Sequence, residues 1–244
     1  METNVETIQL SLHELYAPQI LASTGHFLIV YKPPKMHSAP GKGENLVEWC
    51  SSLVPEIRGL NNEGGLLHRL DYETQGLLLF ARTRHSFERL LDDQKQGKIA
   101  KEYGAYVSRA QKKLNGFPVF SGTFPRERID SYFRPFGPGR KEVRPVVFQA
   151  KGRPYRTEIL EFDSSEGTES DDTLYLRLRI YQGFRHQIRC HLSWAGFPVL
   201  NDPVYGGQKM GQGVLALRAE GIQFADPGSG KTLTYVLPPL SKAF

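Results

Sequence analysis

The sequence predicts an α+β chain: a mixed, largely antiparallel β-sheet with peripheral helices. Three observations carry this. Strand-like runs outnumber helical ones, the connections between them are short and rich in Gly, Pro and Asp, and apolar residues recur at helical spacing in only a few segments. Length adds a bound. With 244 residues, 39% of them hydrophobic, the chain suffices for one large domain or two halves.

The elements follow in order. Residues 1–20 read as a weakly structured leader with a short helix ending before Pro18, too few for a folded module of their own. Gly25 to Tyr31 is an apolar strand halted by Pro33-Pro34. Asn45 has the side chain to cap a helix through Leu46, Val47, Trp49, Cys50 and Leu53. Leu77–Ala81 is a strand, and Thr83 caps a helix whose Phe87, Leu90 and Leu91 line one face. Lys101–Ser108 alternates as a strand does. Residues 115–153, dense in Gly, Pro, Arg and aromatics, are an irregular or hairpin region. Tyr155–Phe162 resumes strand character, 164–172 is an acidic surface loop, and Leu174, Leu176, Leu178 and Ile180 alternate along a half-buried strand. His186–Ala195 fits a helix stopped by Gly196. Gly221–Phe224 and Thr232–Leu237 are strands joined across Asp226–Gly230.

Composition narrows the function. A net charge of +5 favours an anionic partner, and the basic residues crowd between Arg126 and Arg156, interleaved with Tyr132, Phe133, Phe136, Phe148 and Tyr155. Cations for phosphates and flat rings for unstacked bases suit RNA. Two cysteines, Cys50 and Cys190, argue against a disulfide scaffold and a thiolate metal site. No signal peptide opens the chain and no apolar run is long enough to span a bilayer, so a cytoplasmic, membrane-free setting is expected. Gly228-Ser229-Gly230-Lys231-Thr232 imitates the end of a phosphate-binding loop, but position 225 is Ala225 and the residues after it are strand-like; a hairpin turn is the better reading.

The densest chemistry lies in His68-Arg69-Leu70-Asp71-Tyr72-Glu73-Thr74-Gln75-Gly76, a polar island between two apolar runs. A carboxylate there is held by rigid structure, with titratable and cationic neighbours beside it. This stretch resembles the catalytic signature of RluA-type pseudouridine synthases, which isomerise uridine in ribosomal or transfer RNA. Lys101-Glu102-Tyr103-Gly104-Ala105-Tyr106-Val107 is similar to their second signature. Gly183-Phe184-Arg185-His186-Gln187-Ile188-Arg189, with Asn201-Asp202-Pro203-Val204-Tyr205-Gly206 after it, resembles the third. Three signatures in order extend the resemblance over about residues 21–244, a catalytic domain behind a leader of residues 1–20.

The resemblance implies roles. Asp71 would be the catalytic carboxylate, acting either on C1′ or on the C2′ proton of the ribose. Tyr103 would pack on the uracil, and Arg189 would pair with the carboxylate and favour its ionised form. Arg69 would help hold the flipped nucleotide, with His68, His186 and Gln187 as further substrate contacts. No metal or organic cofactor takes part, and the enzyme would act on RNA as a monomer. His186 and His191 lie five apart with no intervening zinc-binding motif. The departures are Tyr72 where the family usually has a basic residue, Gln75 where it has Ser, and Phe184-Arg185 where it has Arg and a variable residue. Two rival functions share these features: an RNA-binding protein that kept the fold without the chemistry, and a nucleoside hydrolase.

Overall fold

Six consecutive buried residues, Phe27–Lys32, form β3, and seven more, Gln75–Ala81, form β4. Strands apolar on both faces must be covered on both, and β3 and β4 pair antiparallel at the centre of a core. The computed structural model describes residues 4–11, 15–41, 43–111, 114–121, 123–125, 127–149, 151–163 and 173–241. The acidic segment 164–172 and Arg126 lie outside them. The chain divides into two compact units, Met1–Glu102 with Arg218–Pro239, and Tyr103–Leu217 with the last residues.

In the first unit the strand order is β2 (Gln19–Ser23), β3, β4, β10 (Leu217–Ala225), β11 (Thr232–Val236) and β1 (Asn4–Thr7). The β4–β10 and β11–β1 pairs are parallel and the others antiparallel. The leader therefore differs from the expectation of weak structure: Asn4–Thr7 adds a strand to β11, and Ile8, Leu10 and Leu15 pack on the core. That core is Phe27, Ile29, Tyr31, Leu67, Leu77, Leu79, Leu90, Ile222, Phe224 and Tyr235, all buried. The helix caps are as read. The Asn45 side chain accepts from Glu48 N (2.9 Å) to start α1 (Leu46–Leu53), and Thr83 Oγ1 accepts from Ser86 N (3.1 Å) to start α2 (Arg84–Lys95). The Gly228–Thr232 motif is the β10–β11 turn, in which Asp226 accepts from the amides of Gly228 and Ser229 at 3.1 Å each.

Gly76 explains one letter of the signature. Its φ is +123°, and a Cβ there would lie 2.2 Å from the carbonyl oxygen of Ala219, its partner on β10. Gly76→Ala is expected to cost on the order of 3 kcal/mol, combining backbone strain with a clash against main chain. Urea denaturation checks it; a loss below about 0.5 kcal/mol would mean that β10 yields easily.

In the second unit β5 (Ala100–Ser108), which starts in the first, lies beside β9 (Thr173–Ile180), followed by β8 (Tyr155–Asp163), β6 (Arg128–Phe136) and β7 (Glu142–Val146). The β6–β7 hairpin is the regular part of the region expected to be irregular or a hairpin. Helix α3 (Gln187–Trp194) packs on β7 and β8. Ile188 and Leu192 are buried, as their spacing requires, and Gly196 follows with a φ of +86°.

Candidate active site

Asp71 sits in a turn that two side chains from the preceding strand and loop bolt in place. Upstream, Leu67 N donates to Leu79 O and Ala81 N to Gly65 O, so the approach to the turn is pinned to β4. Ser38 then grips Leu70 at both ends: its hydroxyl accepts from Leu70 N (3.0 Å) and donates to Leu70 O (2.8 Å). The turn closes with Thr74 N donating to Asp71 O at 3.1 Å. Gln75, one of the departures, is buried at the head of β4, where its Oε1 accepts from Tyr31 Oη at 2.7 Å. It supports the turn from below.

Lys32 is the second bolt. Fully buried, its Nζ donates to Pro33 O (2.9 Å), Met36 O (2.8 Å) and Tyr72 O (3.4 Å). Burial pushes this ammonium down to about 7, partly offset by the carboxylates of Asp71 and Glu73. In the unfolded chain it keeps its proton up to its ordinary 10.5. Between those values the unfolded state binds more protons, so stability rises with pH by up to about 1.4 kcal/mol per pH unit. Lys32→Met is expected to flatten that rise between pH 7 and pH 10, as read from urea titrations across the range. An identical slope in wild type and variant would show that Lys32 stays charged.

Half-buried His68 and buried Lys101 interact electrostatically in the same unit. Neither His68 ring nitrogen is solvent-accessible or hydrogen-bonded among the described residues, and burial, helped by the Lys101 charge, holds its imidazole neutral and well below the usual range. Burial brings Lys101 down to about 8. Arg69 points outward, 64% exposed at its side chain, in an ion pair with Glu63.

The remaining expected residues lie in the second unit. Tyr103, 6% exposed, is at the start of that unit's share of β5. Arg189, 1% exposed, makes a bidentate pair with Asp202, its Nε donating to Oδ2 at 2.8 Å and its Nη2 to Oδ1 at 2.9 Å. Asp202 Oδ1 also accepts from the amides of Val204 (2.9 Å) and Tyr205 (3.0 Å). One carboxylate thus orients the guanidinium and the 202–205 turn. His186 stands ahead of α3 with a left-handed φ of 56°, its Nδ1 3.1 Å from Tyr205 Oη. Gln187, expected among the substrate contacts, is buried with both ends of its amide used by the protein. Its Nε2 donates to Arg156 O at 2.8 Å and its Oε1 accepts from Phe184 N at 2.9 Å.

Two things escaped the sequence reading. Asp202 was visible only as part of a motif, without a role. His191 is buried between Ser131 Oγ (2.9 Å from Nε2) and Thr157 Oγ1 (2.8 Å from Nδ1), and burial drives it down to about 3. It is a neutral cross-brace under α3. The Phe184 departure is also accounted for: its ring stacks on Phe133 at 5.1 Å and 13°, while Arg185 donates to the carbonyls of Arg140 and Glu142 in the hairpin.

Comparison with known proteins decides the family. The sequence model described as RNA pseudouridylate synthase matches residues 26–194, a span holding Asp71, Tyr103 and Arg189. The chain belongs to the RNA pseudouridylate synthase family. An uncharacterized RNA pseudouridine synthase of Chloroflexus aurantiacus is 33% identical over 73% of the chain and 51% of its own length. The chain thus spans about half the length of that relative. Ribosomal large subunit pseudouridine synthase C of Haemophilus influenzae is 29% identical over 96% of the chain and 70% of its own length. The fold is shared with human RNA pseudouridylate synthase domain containing 1, at a TM-score of 0.63 and 20% identity, covering 94% of this chain and 86% of that one. The expected α+β fold and the expected family of RNA-modifying isomerases both hold. No helix among the described residues is long and apolar enough to cross a membrane.

Proposed function

We propose that this chain isomerises uridine to pseudouridine in RNA, with Asp71 as the catalytic carboxylate. The N1–C1′ bond breaks, the freed uracil turns, C5 bonds to C1′, and the hydrogen at C5 leaves to solvent as N1 takes up a proton. Tyr103 supplies a flat surface for the turning base, and Arg189 is the cation that pairs with the carboxylate. Arg69 holds the flipped conformation, while His68, His186 and Gln187 shape the ground around the substrate. One observation carries this reading: the family match spans residues 26–194, which hold the first two signatures and the Gly183–Arg189 part of the third. The anchored turn supports it, since a carboxylate that must meet one ribose carbon benefits from a loop fixed by Lys32 and Ser38.

The substrate is ribosomal RNA ahead of transfer RNA, because the Haemophilus relative is named for the large ribosomal subunit. The enzyme works in the cytoplasm as a monomer. Tritium release from ribosomal RNA transcripts labelled at C5 of uridine tests the proposal. Release above the protein-free blank is expected. No release from ribosomal or transfer RNA, with tight salt-sensitive binding, would instead favour a non-catalytic RNA-binding protein.

A further inference from the structure

The sequence places a tyrosine directly after Asp71, and the structure puts it to a specific use. Tyr72 is 43% exposed, beside the proposed catalytic carboxylate and on the same anchored turn. His37, from the loop that follows β3, packs on the Tyr72 ring with centroids 4.7 Å apart and planes at 39°. The loop and the turn do not meet by chance. Lys32 Nζ holds Met36 O and Tyr72 O together, and Ser38 holds Leu70, so the residues flanking His37 are fastened to those flanking Tyr72. Lys35 is exposed two residues before His37. The result is an exposed Tyr72 ring backed by a half-buried His37 ring, with a carboxylate next in the chain.

We propose that the His37–Tyr72 pair is a stacking platform for an unpaired base flanking the target uridine, and that it sets sequence context for this chain. The proposal rests on the RNA-modifying reading above. A base pulled from its helix leaves its neighbours partly unstacked, and an exposed aromatic held at fixed orientation gives one of them a new stacking surface. Three features favour a base over a phosphate as the ligand. The ring presents a π face, its partner is another ring, and the basic residue usual at this point of the family is absent. A structural role alone would need only the Tyr72 carbonyl, which any side chain supplies.

The test uses the full chain and a single-stranded oligonucleotide carrying uridine with 2-aminopurine next to it, first on one side and then on the other. Binding is followed in an Asp71→Asn background, and tritium release in the Asp71 protein. Tyr72→Ala is expected to weaken binding about tenfold and to raise KM similarly while leaving kcat within about threefold; Tyr72→Phe restores the wild-type values. An abasic nucleotide at the flanking position should cost the wild type as much as Tyr72→Ala does, and cost Tyr72→Ala nothing further. Equal binding by Tyr72→Ala and wild type, or additive losses with the abasic oligonucleotide, overturns the platform even if tritium is released. Platform-dependent binding with no tritium release from any RNA overturns the catalytic reading and leaves the platform standing.

Discussion

Asp71→Asn is expected to leave RNA binding within a few-fold of wild type while slowing tritium release by about 10²–10⁴-fold or more. The amide keeps the size and shape of the carboxylate but can neither add to C1′ nor take the C2′ proton. The turn should survive the change, because the hydrogen bond that closes it uses the main-chain carbonyl of Asp71, and Ser38 and Lys32 grip the neighbouring residues. Thermal melting of the variant within about two degrees of wild type would separate lost chemistry from lost structure. Release within threefold of wild type would remove Asp71 from the mechanism. Asp71→Glu makes a finer test, since it restores the charge one methylene too far and reports how strictly the anchored turn sets the reach.

Asp202→Asn is expected to destabilise the second unit by about 3–5 kcal/mol. Arg189 and Asp202 are almost completely buried, and their two-point pairing is what makes a guanidinium tolerable there. The asparagine oxygen can still accept from Val204 and Tyr205, while its NH2 replaces the oxygen that accepts from Arg189 Nε, so this variant removes the charge and that hydrogen bond; Asp202→Ala removes the bonds to the turn as well. Adding Arg189→Met to Asp202→Asn should restore part of the stability, because the buried guanidinium that the Asp202 carboxylate balances is gone. Activity should stay low in the double variant, since Arg189 is proposed to pair with the Asp71 carboxylate. Urea denaturation and tritium release together read both halves. A double variant that regains activity with its stability would confine Arg189 to a structural part.

The parts legible in the sequence were those decided by neighbours in the chain. Asn45 and Thr83 read as caps because the groups they satisfy are three residues away, and the alternation from Leu174 to Ile180 needs no partner to be seen. The family signatures were legible for another reason: they fix residue types at set spacings. What stayed hidden depends on distant pairing. Asn4–Thr7 has no apolar pattern of its own and becomes a strand because β11 offers it an edge. Lys32 gains its meaning from Tyr72, forty residues away, and Asp202 from Arg189. Gln75 and Phe184 departed from the family pattern in letters, and their contacts with Tyr31 and Phe133 give each a packing reason.

The division of the chain bears on how the protein is made. The first unit is interrupted: it runs to Glu102 and resumes only at Arg218, with all of residues 103–217 in between. On a ribosome adding roughly 5–20 residues per second, β4 would wait on the order of ten seconds for β10, its parallel neighbour. Until then Leu77 and Leu79 lack Ile222, Phe224 and Tyr235 of their core cluster. The 103–217 stretch of the second unit can close first, while the half-made sheet around Asp71 stays exposed to chaperones, and the last strands to emerge complete it. Truncation of the final twenty-five residues removes most of β10 and all of β11, and should therefore strand a nascent chain whose Asp71 turn has lost the strands that complete its sheet.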